Sequence, residues 1–152
     1  MSFDEILKKL PYTKPFLFVD ELTELSGSRV VGSYRFKETE FFYSGHFKNN
    51  PVTPGVILTE CMAQIGLVCL GIYLSSTDSP EENLEDSKPK IALSETKINF
   101  SKPVFPGEKV IVTAEKDYFR FNKLQCKVKM HNEKEELVCS GTISGMLIRK
   151  DL

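Results

Sequence analysis

Histidine and cysteine are scarce in this chain of 152 residues, and neither type is clustered. The two histidines, His46 and His131, lie far apart, and the four cysteines form no C-x-x-C pair. A structural zinc site takes four such ligands at short spacing, so we expect no metal site. A disulfide framework is not expected either, since Cys61 and Cys69 fall inside one apolar helical run.

An excess of either charge is also absent, because 20 basic and 21 acidic residues leave a net charge of −1. This balance argues against a nucleic-acid partner. The first ten residues carry charged side chains and no long apolar core, unlike a secretory signal. The sequence therefore predicts a reduced, cytoplasmic protein.

Long apolar runs are missing except for one, Val56–Leu74. Its length approaches that of a membrane span. However, Glu60 and Gln64 lie inside it, Gly66 and Gly71 weaken it, and no basic flank follows. The run therefore predicts a buried core helix and no membrane span.

The remaining pattern predicts a single α+β domain over residues 1–152. Ser2 and Glu5 have the spacing of a capping box and predict a short N-terminal helix that ends at Pro11. Ser75–Lys90 is predicted to be a flexible acidic loop. Six strands are predicted at Phe16–Leu25, Arg29–Lys37, Ile91–Phe100, Glu108–Tyr118, Leu124–His131 and Glu136–Lys150. An antiparallel sheet curled around the apolar helix satisfies this pattern.

Residues 41–60 carry the groups best suited to chemistry. His46 lies in an aromatic, Gly/Pro-rich loop, and Glu60 lies in the apolar helix, with Gln64 on the same face. A carboxylate there must be paired, be protonated or face a cavity. Free N–H groups at Gly55, where the helix begins, would attract negative charge. The set suits proton abstraction beside a carbonyl, although His46 as a structural group remains an alternative.

Three short motifs, Gly45–Phe47, Pro51–Val56 and Glu60–Gln64, closely resemble the signature of the beta-hydroxyacyl-ACP dehydratase family. These are hot-dog-fold enzymes of type II fatty acid synthesis. Leu10–Asp20 resembles the start of the family sequence, and Phe100–Glu108 resembles its later strand–turn segment. The resemblance thus covers residues from about 10 to about 110.

The resemblance implies a long central helix wrapped by a curved antiparallel sheet of about six strands. It also implies a homodimer in which His46 of one subunit meets Glu60 of the other, with larger assemblies of dimers common. Glutamate at position 60 is typical of the plain dehydratase branch, whereas the isomerising branch carries aspartate.

The activity implied is dehydration of R-3-hydroxyacyl thioesters, carried on acyl carrier protein, to trans-2-enoyl thioesters. The Gly55 N–H would bind the thioester carbonyl, His46 would remove the C2 proton, and Glu60, supported by Gln64, would protonate the leaving hydroxyl. No metal or organic cofactor is implied, because the substrate arrives on the phosphopantetheine arm of its carrier.

Five positions depart from the usual family pattern: Tyr12, Lys48, Thr53, Asn99 and Ser101. The pair His46 and Glu60 survives these departures, so they bear on substrate size and docking. They leave open a specialised enzyme of a polyene or other secondary lipid pathway.

Two further sets of residues are candidates for substrate and carrier contacts. Because a carrier protein is acidic, its dock should be basic. The candidate docking residues are Lys48, Lys97, Lys102 and Lys109, with solvated surface lysines as the alternative. The candidate acyl-tunnel residues are Phe41, Phe42, Phe47 and Phe105, with ordinary core packing as the alternative.

Two competing functions remain open at this point. A thioesterase on the same fold would hydrolyse the acyl thioester, but it needs no histidine in the loop before the helix. A non-catalytic acyl-binding subunit would keep the fold without requiring His46 or Glu60. Both residues are present, which favours the dehydratase.

Overall fold

The computed structural model describes residues 1–78 and 90–148. A short helix, α1 (Phe3–Lys8), precedes a hairpin and then a long central helix. The central helix has three segments: α2 (Gly55–Met62), a π segment (Ala63–Val68) and α3 (Cys69–Asp78). The strands are β1 (Glu21–Leu25), β2 (Arg29–Arg35), β3 (Lys90–Phe100), β4 (Lys109–Arg120), β5 (Lys123–Asn132) and β6 (Leu137–Ile148).

All six strands form one antiparallel sheet in the order β1-β2-β4-β5-β6-β3. The register shifts within four of the five strand pairs, and such bulges bend a sheet and increase its twist. The predicted α+β class and strand count are confirmed. The strand β3 lies at one edge of the sheet, so its outer backbone groups pair with no strand among residues 1–78 and 90–148.

The central helix packs against this sheet as the core of the domain. Every residue of the π segment is buried. A Cβ built on Gly66 would lie 2.9 Å from Cβ of Ala114 and 3.3 Å from Cγ1 of Val128, so helix and sheet approach closely there. Gly55–Ser76 is long and apolar enough to cross a membrane, but 78% of its most apolar window is buried within the fold. It is a core helix, as predicted.

The strand prediction for Phe16–Leu25 is wrong in its first half. Strand β1 begins only at Glu21, because the backbone groups of Phe16 and Phe18 bond to the side chain of Gln64. A side chain, and not a neighbouring strand, thus bonds to the N–H of Phe18 and the carbonyl of Phe16.

The N-terminal helix and the acidic loop also differ from the predicted boundaries. Helix α1 has the predicted capping box but ends at Lys8, short of Pro11. Helix α3 continues past Ser75 to Asp78, and the hydroxyls of Ser75 and Ser76 donate to carbonyl groups one turn back. Lys90 already belongs to β3, and the rest of the predicted loop, residues 79–89, lies outside the described residues.

Candidate active site

The loop that carries His46 is held by local turns. The N–H of His46 donates to the Phe42 carbonyl (3.1 Å), and the N–H of Val52 donates to the His46 carbonyl (2.9 Å). The peptide bond between His46 and Phe47 is cis. One residue beyond Val52, the N–H of Thr53 donates to the Val104 carbonyl (2.9 Å), which fastens the loop to the connection between β3 and β4.

The imidazole of His46 is oriented by one hydrogen bond. Its Nδ1 lies 2.8 Å from the carbonyl oxygen of Val52. Because a carbonyl only accepts, Nδ1 must carry the hydrogen, and the neutral ring has its lone pair on Nε2. The ring of Phe47 stacks on the imidazole with centroids 3.9 Å apart. The half-buried His46 is therefore held with its Nε2 available as a hydrogen-bond acceptor.

The central helix begins a few residues after this loop. Pro54 is the N-cap, and its carbonyl accepts from the N–H groups of Ile57 and Leu58. The N–H groups of Gly55 and Val56 have no hydrogen-bond partner within residues 1–78 and 90–148. Donors of this kind at a helix N-terminus can bind a carbonyl oxygen, and Gly55 as the position of the substrate carbonyl stays a prediction.

Glu60 lies half-buried, less than two turns into the helix. Its Oε1 accepts a hydrogen bond from Nε2 of the fully buried Gln64 (3.0 Å). Burial raises the pKa of the Glu60 carboxyl, and the weaker effect of the Gln64 hydrogen bond lowers it. A carboxyl in such surroundings retains its proton at higher pH than an ordinary glutamate, as a proton donor requires.

The cysteines take no part in this chemistry. Burial raises the pKa of Cys69, Cys126 and Cys139 to about 12 and that of Cys61 well above its usual range. All four are free, buried thiols, and thiols of this kind are unreactive.

Two of the residues that depart from the family pattern, Thr53 and Tyr12, belong to the surroundings of His46 and Glu60. The hydroxyls of Thr53 and Tyr43 lie 2.6 Å apart and are buried together. Burial raises the pKa of Tyr43 to about 12, so its hydroxyl stays protonated. Tyr12, half-buried, lies near Glu60, since burial and then the negative charge of Glu60 raise its pKa. Thr53 thus supports the loop, and Tyr12 belongs to the surroundings of the carboxyl.

The structure does not join His46 to Glu60 within one chain. No hydrogen bond or ion pair links the two side chains in the described residues. Large apolar side chains nearby are exposed instead: Phe47 (54%), Val56 (77%) and Phe100 (52%). The ring of Phe100 would lie 3.2 Å from a Cβ on Gly55, so it covers the start of the helix.

The four candidate tunnel residues are dispersed in the single chain. Phe42 packs in the core with Phe18 and Phe36. The exposed Phe41 lines a cleft of about 670 Å³ beside Glu40, and Phe105 lines another of about 490 Å³. Among the described residues, Phe47 is the only one of the four whose ring stacks on the imidazole of His46.

The four candidate docking lysines fall into two kinds. Lys102 lies 2.5 Å from a carboxylate oxygen of Glu136, and Lys109 lies 3.6 Å from one of Glu21. Lys48 and Lys97 are exposed, and neither forms an ion pair within the part of the chain that the structure describes. Lys102 and Lys109 share the cleft with Phe105.

Sequence reasoning missed three features of this site. It did not identify Phe100 as the cover of the helix start, the Val52 carbonyl as the partner of His46, or the proximity of Tyr12 to Glu60. The first and last depend on how distant segments pack, and no local pattern signals them. No group of three or more His, Cys, Asp or Glu side chains that could hold a metal occurs in residues 1–78 and 90–148.

Comparison with solved structures places the chain among hot-dog folds. A dehydratase heterocomplex (ApeI:P) from Xenorhabdus doucetiae matches with a TM-score of 0.75 and 13% identity, over 95% of this chain and 91% of that one. A hypothetical thioesterase from Streptococcus pneumoniae matches with a TM-score of 0.63 and 14% identity, over 87% and 88%. At these identities the likeness shows the fold, and the predicted hot-dog fold is confirmed.

Sequence comparison then gives the family. Residues 10–141 match the FabA-like domain. A 3-hydroxyacyl-[acyl-carrier-protein] dehydratase FabZ from Clostridioides difficile is 34% identical over 99% of both chains. The enzyme of the same name from Geotalea uraniireducens is 36% identical over 79% of both. The chain belongs to the FabA-like family, and the predicted relationship to the dehydratases is confirmed.

Proposed function

We propose that this enzyme removes water from R-3-hydroxyacyl thioesters carried on acyl carrier protein and forms trans-2-enoyl thioesters. The relatives that share a third of its residues along nearly the whole chain are dehydratases of this kind. The observation that carries the proposal is the hydrogen bond from Nδ1 of His46 to the Val52 carbonyl. It leaves Nε2 of a neutral imidazole free to accept a proton.

His46 performs the first step. Its Nε2 takes a proton from C2 of the substrate, and the electrons of the C–H bond move toward the thioester carbonyl. The N–H of Gly55, at the positive end of the helix, stabilises the negative charge on that oxygen. Because Gly55 has no side chain, the ring of Phe100 packs close to the backbone beside this donor.

Glu60 completes the elimination. Its protonated carboxyl donates to the 3-hydroxyl group, the C3–O bond breaks, and water leaves as the C2–C3 double bond forms. The raised pKa of Glu60 keeps that proton available. Afterwards His46 holds an extra proton and Glu60 lacks one, and exchange through water restores both. The reaction requires no oxidant, reductant or organic cofactor.

The active enzyme is a homodimer with shared sites. Within one chain His46 and Glu60 are not bonded to each other, and the surface around them is apolar at Phe47, Val56 and Phe100. None of the eleven residues of β3 is buried, and this long edge strand is open to pairing. A second copy covering this face would bring His46 of one subunit to Glu60 of the other and complete the acyl tunnel.

The carrier protein docks on basic residues that have no acidic partner of their own. Within residues 1–78 and 90–148, Lys48 and Lys97 meet this condition, whereas Lys102 and Lys109 lie beside carboxylates. An acidic carrier meeting unpaired lysines gains rate and specificity from charge complementarity. The same proposal places the protein in the cytoplasm, because carrier-dependent lipid synthesis supplies the substrate there.

Product analysis tests the reaction. The purified protein is incubated with acyl carrier proteins loaded with 3-hydroxyacyl chains of several lengths, and the products are identified by mass. We expect enoyl thioesters that remain on the carrier. Release of a free hydroxy acid would indicate a thioesterase instead, and unchanged substrate at every length would indicate a non-catalytic subunit.

Charge reversal tests the docking surface. Lys48→Glu combined with Lys97→Glu should raise KM for carrier-bound substrate about tenfold and leave KM for a small pantetheine thioester unchanged. Lys129→Glu, an exposed lysine on β5, is the matched control. An equal effect of the control, or an equal effect on both substrates, would reject this docking surface.

A further inference from the structure

The side chain of Gln64 forms three hydrogen bonds in the interior of the protein. Its Oε1 accepts from the N–H of Phe18 (2.8 Å). Its Nε2 donates to the Phe16 carbonyl (3.0 Å) and to Oε1 of Glu60 (3.0 Å). Gln64 lies in the π segment and is fully buried, so water does not replace these partners.

The partners determine which way the Gln64 amide points. A backbone N–H only donates, so the atom that faces Phe18 must be the amide oxygen. Both hydrogens of the Nε2 group are then directed at acceptors, the Phe16 carbonyl and Glu60 Oε1. The hydrogen bonds to Phe16 and Phe18 therefore fix the direction of the N–H that reaches Glu60.

This arrangement distinguishes the two oxygens of the Glu60 carboxyl. A proton on Oε1 would face the N–H of Gln64, so protonated Glu60 carries its hydrogen on Oε2. We propose that Gln64 is a positioning residue that fixes the transferred proton on Oε2 of Glu60. The inference rests on the proposed role of Glu60 as the proton donor. Gln64 thereby does for the acid what the Val52 carbonyl does for the base.

Within one chain, the Gln64 contact is the interaction that adjusts the protonation of Glu60, and His46 of the other subunit in the proposed homodimer faces Glu60 in wild type and variants alike. Tyr12 and Cys61 are the described titratable groups that sense the Glu60 charge. Burial is the main cause of the raised pKa of both, so both are neutral and add no charge. Desolvation raises the pKa of Glu60, and the Gln64 hydrogen bond opposes it. Removing that bond should raise the pKa of Glu60 further.

The chain offers a matched control for this contact. The thiol of Cys61 donates to the Phe18 carbonyl (3.4 Å), so Cys61 and Gln64 both hold the same segment to the helix. Only Gln64 also bonds to Glu60. Cys61→Ala loosens the segment and leaves the Glu60 contact intact, whereas Gln64→Met removes both interactions with little change in side-chain length.

Infrared difference spectroscopy across a pH titration observes the Glu60 proton directly. The C=O stretch of the protonated carboxyl is assigned as the band that Glu60→Gln abolishes. In Gln64→Met we expect this band to move to higher frequency, since its carbonyl oxygen loses a donor. Its titration midpoint should rise by about one pH unit. Turnover should fall about tenfold with a smaller change in KM.

The pH profile of turnover should move in the same direction. Glu60 acts in its protonated form, so activity is lost as the pH rises through its pKa, and a higher pKa moves that loss to higher pH. If Gln64→Met does not fold, Gln64→Glu keeps an oxygen for the Phe18 N–H. It replaces the two N–H donors with at most one O–H, and its carboxyl also raises the Glu60 midpoint.

The outcomes separate this inference from the proposed function. An unchanged band and midpoint in the folded Gln64 variant would overturn it, and so would an equal shift in Cys61→Ala. If Glu60→Gln kept normal turnover, the role of Glu60 as the acid would fail. The infrared titration would still report whether Gln64 binds Oε1.

Discussion

The loop around His46 and the helix around Glu60 both position a proposed catalytic side chain by one hydrogen bond. They differ in how far along the chain the supporting groups lie. In each, one polar atom is bonded and the other is left free. The partner of His46, the Val52 carbonyl, is six residues away in the chain. Glu60 is held by Gln64, which is bonded to backbone groups 46 and 48 residues away. Local turns position the proposed base, His46, whereas tertiary packing positions the proposed acid, Glu60.

Removing either reacting group gives the largest expected effect. His46→Ala and Glu60→Gln should each lower kcat by about 10²- to 10⁴-fold with the fold retained, as measured with carrier-bound 3-hydroxyacyl substrate and circular dichroism. His131→Ala, on the half-buried end of β5, is the control and should keep full turnover. Near-normal turnover of either active-site variant would remove that residue from the mechanism.

Mixing the two inactive variants tests whether loop and helix from different subunits form one site. If subunits exchange freely, half of the dimers are hybrids with one intact site, so about a quarter of wild-type activity should return. Subunit exchange is checked by mass spectrometry with one isotope-labelled variant. A mixture that exchanges fully and stays inactive would show that each chain builds its own site.

The pH dependence of the free energy of unfolding tests whether burial disfavours the ionised form of Glu60. The folded-state pKa of Glu60 is raised, so the folded protein binds this proton more tightly than the unfolded chain does. The stabilisation is complete below the unfolded pKa and is lost as the pH rises through the folded pKa. Urea unfolding between pH 4 and about pH 8 should show this loss in wild type and a smaller one in Glu60→Gln.

At neutral pH, Glu60→Gln should be as stable as wild type or more so, because it removes an ionisable group from a partly buried position. Its side-chain oxygen still accepts from Gln64. A sharp drop in melting temperature would instead indicate that Glu60 is a structural ion-pair partner, since breaking such a pair costs about 3–5 kcal/mol.

The smallest expected effect concerns the support behind the loop. Tyr43→Phe leaves the buried hydroxyl of Thr53 without its partner and should lower the free energy of unfolding by about 1–2 kcal/mol. The double variant with Thr53→Val should lose less than the sum of the single losses, as a double-mutant cycle in urea will show. Strict additivity would mean that the two hydroxyls do not interact.

Features set by local pattern could be predicted from the sequence. The capping box at Ser2 and Glu5 predicts helix α1, and the alternation in residues 124–131 predicts β5 with correct facing. The motif around His46 and Glu60 could be identified because its spacing is specific. The burial cost of a carboxylate also pointed to Glu60 before any comparison.

Features set by distant contacts could not be predicted. Phe16–Asp20 has the composition of a strand, but Gln64 bonds to the carbonyl of Phe16 and the N–H of Phe18. Nothing in the run Val56–Leu74 signals that Ala63–Val68 forms a π segment. The nearness of Tyr12 to Glu60 likewise depends on where the segment after α1 packs, which the sequence pattern does not specify.

The absent side chain at Gly66 links the packing of the sheet to the direction of Glu60. With Ala114 and Val128 so close to that position, any side chain there would push the helix and the sheet apart. Glu60 lies about two turns away on the same helix, so such a shift would also move its carboxyl. A residue that never touches the substrate thus helps to determine where the acid points.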